Sequence, residues 1–166
     1  MHKYTIKNLK SFLGREGHGF NIDLYRNGVK VAFVQDMADG GEIRFDWVDH
    51  KNTLPMEFPS YNGIKGSKHI EMVPVEEVLL LNHISTIEEY KDGTRSDMDC
   101  FVSSLVDDYE NEKRNKKKCK NHIMFLSNDG KTYSIKGTYN EANKTFLLTR
   151  YPDIVEFINE KYLEKV

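Results

Sequence analysis

The stretch Gly14-Arg15-Glu16-Gly17-His18-Gly19 concentrates the residue types that hold anions. Its glycines expose backbone N–H groups, and Arg15 and His18, joined by Lys30 further along, are the cations that would complete a phosphate-binding set. A nucleotide is the ligand such a set would take. The stretch lacks the Lys-Ser/Thr of a P-loop and opens onto alternating, strand-like sequence, whereas phosphate fingerprints need a following helix N-terminus. A turn or strand bulge is the competing reading. A second candidate surface is the basic run Lys113, Arg114, Lys116, Lys117, Lys118 and Lys120, which suits phosphate backbones or an acidic protein surface. No aromatic residue interleaves it, so it offers no base stacking, and a solvated helix end explains it equally.

Carboxylates form a third group. Asp36, Asp39, Glu42 and Asp46 surround Gly40-Gly41, but without the spacing of a calcium loop. Asp36, Glu42 and Arg44 suit a metal-dependent nuclease with carboxylates and a base on adjacent strands, a spacing that 26 acidic residues also generate by chance. Cys119 and His122 are spaced like zinc ligands, yet a tetrahedral site needs two more, which would have to be recruited from Cys100, His69 or His83. Cys100 lies at the edge of an apolar helical stripe with no motif to activate it. These residues call for no catalytic group, no metal and no cofactor. The aromatic set Phe20, Tyr25, Phe33, Phe45 and Trp47 falls on alternating positions, which favours sheet packing over base stacking.

The elements that must position these residues follow from periodicity. Lys3 to Leu13 reads as a first strand, closed by the glycine stretch. Phe20, Ile22 and Leu24 alternate inward, Asn27-Gly28 makes a tight turn, and Val29, Val31 and Phe33 are expected to alternate inward again. Ile43, Phe45 and Trp47 mark a fourth strand, so residues 1–49 form a meander. Residues 50–73, with Pro55, Pro59, Gly63 and Gly66, read as a long irregular connection. The helical middle, 74–121, begins at Pro74 and runs towards Ile87. A second helix is capped by Asp97, striped by Phe101, Val102, Leu105, Val106 and Tyr109, and continues through the charged run. In 122–166 a hairpin turns at Asn128-Asp129-Gly130, Thr145 to Thr149 supplies another strand, and Asp153 to Lys165 forms a terminal helix. The fold class is α+β, an antiparallel N-terminal meander and a C-terminal hairpin packed with two to three helices.

At 166 residues the chain has the size of one domain with its own core. Its net charge of −2 exerts no global pull on nucleic acid or anionic membrane. No apolar run has the length of a signal sequence or a membrane span, so no membrane partner is expected. Two cysteines without a disulfide pattern fit a reducing, cytoplasmic compartment.

Two segments carry a likeness. Residues 14–32, from the glycine stretch through Leu24-Tyr25-Arg26-Asn27-Gly28-Val29, and residues 151–160, from Tyr151-Pro152-Asp153 to Ile158-Asn159-Glu160, resemble small accessory proteins of bacteriophages and related mobile elements. The resemblance implies no catalytic residues. It implies an interaction protein acting in the cytoplasm of a bacterial host: one that binds and modulates a host protein, an inhibitor of antiviral defence being one form. A protein that sequesters a nucleotide or other small ligand is the alternative, and a metal-dependent nuclease ranks third.

Overall fold

The computed structural model describes residues 2–59, 68–90 and 92–162. The chain is α+β, and its backbone gathers into two compact units, Met1–Asp107 and Asp108–Val166.

In the first unit β1 (Tyr4–Leu13), β2 (His18–Arg26), β3 (Val29–Asp36) and β4 (Arg44–Trp47) form an antiparallel meander in the order β1-β2-β3-β4. The β2–β3 turn is the expected one: Asn27 and Gly28 have φ of 51° and 83°, the paired positive angles that suit this dipeptide. Ile22, Leu24, Ala32 and Val34 are fully buried on one face of the sheet. Val31 is buried as well, because the β2–β3 register slips between Leu24/Ala32 and Tyr25/Lys30. This bulge corrects the expected alternation. It puts Phe33 on the face opposite Val34, while Val29, opposite Arg26 at the turn end of the hairpin, is 67% exposed.

The helices α1 (Val75–Ile84) and α2 (Arg95–Lys118) supply further core, with Leu80, Leu81 and Ile84 from one and Met98, Phe101, Val102 and Val106 from the other. Arg26 of β2 grips Glu76 of α1 through two hydrogen bonds of 2.8 and 2.7 Å. The cap of α2 is Thr94 rather than Asp97. Thr94 Oγ1 accepts the Asp97 N–H at 3.1 Å and Asp97 Oδ2 accepts the Thr94 N–H at 2.8 Å, a reciprocal capping box.

Residues 50–73 are not an irregular connection. They hold β5 (Thr53–Pro59) and β6 (Lys68–Pro74), paired in continuous register from Thr53/Pro74 to Pro59/Lys68. Pro55 and Pro59 hide the hairpin from a periodicity reading, yet a two-stranded ribbon leaves each strand an unpaired edge where a missing N–H costs nothing. Gly63 and Gly66 lie outside the described residues.

In the second unit β7 (His122–Ser127) is the centre of a three-stranded sheet in the order β8-β7-β9, with β8 (Thr132–Lys136) and β9 (Ile154–Phe157) antiparallel to it. Two expectations fail here. Thr145 to Thr149 lies inside the helix α3 (Glu141–Arg150), capped by the Asn140 side chain, which accepts the Asn143 N–H at 2.9 Å. The β-branched threonines mislead: Thr149 Oγ1 bonds back to the Thr145 carbonyl, as a helical threonine does. Over its described part, up to Tyr162, the expected terminal helix is instead β9 followed by the single turn α4 (Asn159–Tyr162), because pairing with β7 at Phe125/Phe157 outweighs the local helical spacing; residues 163–165 lie outside the described residues. Ile123, Phe125, Leu147 and Phe157 form this unit's apolar cluster.

Candidate functional site

Within the first unit, β4 carries the clearest convergence of chemistry. Its register with β3 pairs Val34 with Phe45 and Ala32 with Trp47, so both rings lie on the face that bears the core. They stack with centroids 5.4 Å apart and planes inclined by 17°. Beside them opens a cleft of about 240 Å³, lined also by Glu42, Glu77, Arg95 and Asp99.

The helix starts determine the polar wall. Arg95 and Asp99 are four residues apart on α2 and share one helical face. Arg95 Nε donates to Glu77 Oε1 at 2.8 Å, its terminal nitrogens reach Glu71 at 3.2 and 3.1 Å, and its guanidinium lies 4.6 Å from the centre of the Phe58 ring. The arginine's charge is therefore matched by Glu71 and Glu77. Glu42 and Asp99 then set the sign of the cleft. Asp99 accepts a 3.4 Å hydrogen bond from the Ile43 N–H, and burial, reinforced by the neighbouring charges of Glu42 and Asp36, pushes its pKa up to about 6. A carboxylate held short of partners beside stacked rings suits a guest cation with an alkyl or planar body. An ammonium or guanidinium would meet both the ring faces and the acid.

The residues singled out from sequence distribute differently. Arg15 is exposed in the β1–β2 turn and His18 at the start of β2, whereas Lys30 pairs with Tyr25 at the other end of the β2–β3 hairpin and forms an ion pair with Asp23. The three do not converge. Two of the turn's amides are occupied: Gly14 N–H donates to Gly17 O at 2.8 Å and Glu16 N–H to Ala38 O at 2.7 Å. A Cβ on Gly14 would lie 2.6 Å from that of Ala38, so this glycine serves a close backbone approach. The segment joins β1 to β2 as a turn.

Lys113, Arg114, Lys116, Lys117 and Lys118 are exposed on the last turns of α2, where cations suit the helix dipole, and Lys120 is exposed just beyond it. Asp36 and Glu42 act on Asp99 electrostatically, while Arg44 pairs with Asp46. Among the described residues no three His, Cys, Asp or Glu side chains gather as ligands for a metal ion. Cys100 is exposed, and Cys119 is buried with its sulfur 3.7 Å from that of Met124, its thiol pKa raised by burial.

Of the cleft, the sequence showed Phe45 and Trp47 as core-facing and Glu42 as one acid among many. It missed Glu77, Arg95 and Asp99. The four-residue spacing of Arg95 and Asp99 was the available signal.

No described helix is long and apolar enough to cross a membrane. Compared with protein-family models, curated proteins and solved structures, the chain matches none.

Proposed function

We propose that this is a non-enzymatic accessory protein of bacteriophage or mobile-element type that binds and modulates a host protein, and that it anchors that partner by a basic side chain. An inhibitor of antiviral defence is the biological form this takes. The observation that supports it is the cleft in which the stacked Phe45 and Trp47 rings adjoin Asp99, a half-buried carboxylate short of partners. Anchoring of this kind concentrates binding energy in one desolvated pocket, as hot spots do.

Trp47 is the chain's single tryptophan and reports on the cleft directly. Titration with blocked tripeptides carrying a central Arg, Lys or Gln should change its fluorescence for the basic peptides alone. Affinity should rise about tenfold from pH 5 to pH 7 as Asp99 ionises, and Asp99→Asn should remove that dependence. Host protein retained by the wild type should be lost from Asp99→Asn. Equal response to the Gln peptide, or equal host-protein retention by the folded Asp99→Asn variant, rejects the reading.

A further inference from the structure

The meander's other face has a different character. Residues of alternate parity project there, and the register aligns them in cross-strand rows: Thr5, Tyr25 and Lys30; Lys7, Asp23, Phe33 and Asp46; Lys10, Asn21, Gln35 and Arg44. Tyr25 and Phe33 therefore stand apart from Phe45 and Trp47. Both are half-buried, and each has a lysine ammonium over its ring, Lys7 at 4.5 Å from the Tyr25 centroid and Lys30 at 5.8 Å from that of Phe33. Asn21 and Gln35 add amides, joined by a 3.3 Å hydrogen bond.

Charge on this face is unbalanced. Lys7, Lys10, Lys30 and Arg44 are exposed cations, against the carboxylates Asp23 and Asp46. Asp23 is held by Lys30 and by the Asn8 amide, which keep its pKa below the ordinary carboxylate value, and Arg44 spans to Asp46. Lys7 and Lys10 remain as the surplus. A chain of phosphates complements that surplus, and unpaired bases are the ligands that use aromatic rings and amides together. A duplex hides its base faces and would use only the lysines.

We infer that this sheet face binds single-stranded nucleic acid, with Tyr25 and Phe33 each stacking a base and Lys7, Lys10 and Lys30 meeting phosphates. On binding, the ammonium groups leave the ring faces for phosphate oxygens, and the bases take their place. The surface is separate from the acid-lined cleft and does not depend on it.

Fluorescence anisotropy with labelled 12-nucleotide single strands of DNA and RNA, a matched duplex and heparin tests this on the full chain. Single strands should bind more tightly than the duplex, with a log–log salt slope near −2, as expected for about three phosphate contacts. Tyr25→Leu with Phe33→Leu keeps apolar bulk and removes the π-faces, so affinity should fall by at least tenfold while the thermal midpoint holds. Lys7→Gln with Lys10→Gln should weaken binding and flatten the salt slope, and serves as the second variant if the aromatic pair perturbs folding. Lys116→Gln, Lys117→Gln and Lys118→Gln together should leave binding unchanged. The inference is overturned if the wild type binds no single strand at low salt, or if duplex or heparin binds as well as the single strand. It is overturned equally if the folded aromatic variant binds like the wild type, or if only the Lys116–118 changes abolish binding.

Discussion

Asn159 in the second unit and Tyr4 in the first are both buried polar side chains, and they are held in opposite ways. Asn159 is completely buried, and its amide is engaged on both sides. Oδ1 accepts the Met124 N–H at 2.7 Å, and Nδ2 donates to the carbonyls of Cys119 at 3.2 Å and His122 at 2.9 Å. One side chain thus ties the α4 turn to the residues that enter and begin β7. Tyr4 is 6% exposed, with its ring 5.0 Å from His83 and 6.2 Å from Phe101, yet its hydroxyl has no hydrogen-bond partner among the described residues. The units differ in the size of the core around these groups. Among the described residues six apolar side chains are buried in the second unit and seventeen in the first. Each unit leaves one buried side-chain atom without a hydrogen-bond partner among the described residues, Tyr4 Oη in the first and His122 Nδ1 in the second, so what sets the small core apart is that it leans on the Asn159 connection.

Asn159→Ala should have the largest effect on stability. The substitution strands a buried N–H and two carbonyls, so unfolding in urea should show a loss of about 3 kcal/mol. A loss below about 1 kcal/mol would mean that the amide is incidental to the second unit.

The same contrast explains what the sequence made legible. The Asn27-Gly28 turn and the α2 stripe are local, dictated by positive φ and by helical spacing, and both could be read from neighbouring residues alone. The β5–β6 hairpin and β9 depend on pairing between segments, and their own residues carry prolines or a misleading helical period. Nothing in Ile158-Asn159-Glu160 announces that this asparagine is buried, since its partners are backbone groups 35 to 40 residues away. For the cleft, the alternation of Phe45 and Trp47 was visible, but the acid beside them comes from a helix more than 50 residues later. The face-switching bulge at Val31 left no residue-type signal, so Phe33 was assigned to the wrong side.

Asp99 is a second poorly partnered group in the first unit. Its folded pKa of about 6 exceeds the ordinary 3.8, so the native state binds its proton more tightly than the unfolded chain does. Stability is therefore fully retained below pH 4 and declines as pH rises towards 6. Asp99→Asn should match the wild type at pH 3.5 and exceed its stability at pH 8. Because the carboxyl is half-exposed, solvent screening reduces the gain to about 1 kcal/mol. Parallel urea titrations at the two pH values measure it, and an equal offset at both would place the effect in packing rather than ionisation.

The smallest expected effect is the most direct counterpart to Asn159. Tyr4→Phe keeps the ring against His83 and Phe101 and removes only the unpartnered hydroxyl. Taking that hydroxyl out of water costs free energy that no hydrogen bond returns, the same burial that lifts its pKa well above the ordinary tyrosine value. Thermal and urea unfolding should show a gain of about 0.5 kcal/mol, constant from pH 6 to 9 because the hydroxyl stays neutral throughout. A loss above about 1 kcal/mol would show that the hydroxyl has a partner in solution. The unpartnered buried atom would then lie in the unit with the smaller core, at His122 Nδ1, and the size of the core would no longer explain where such a group is tolerated.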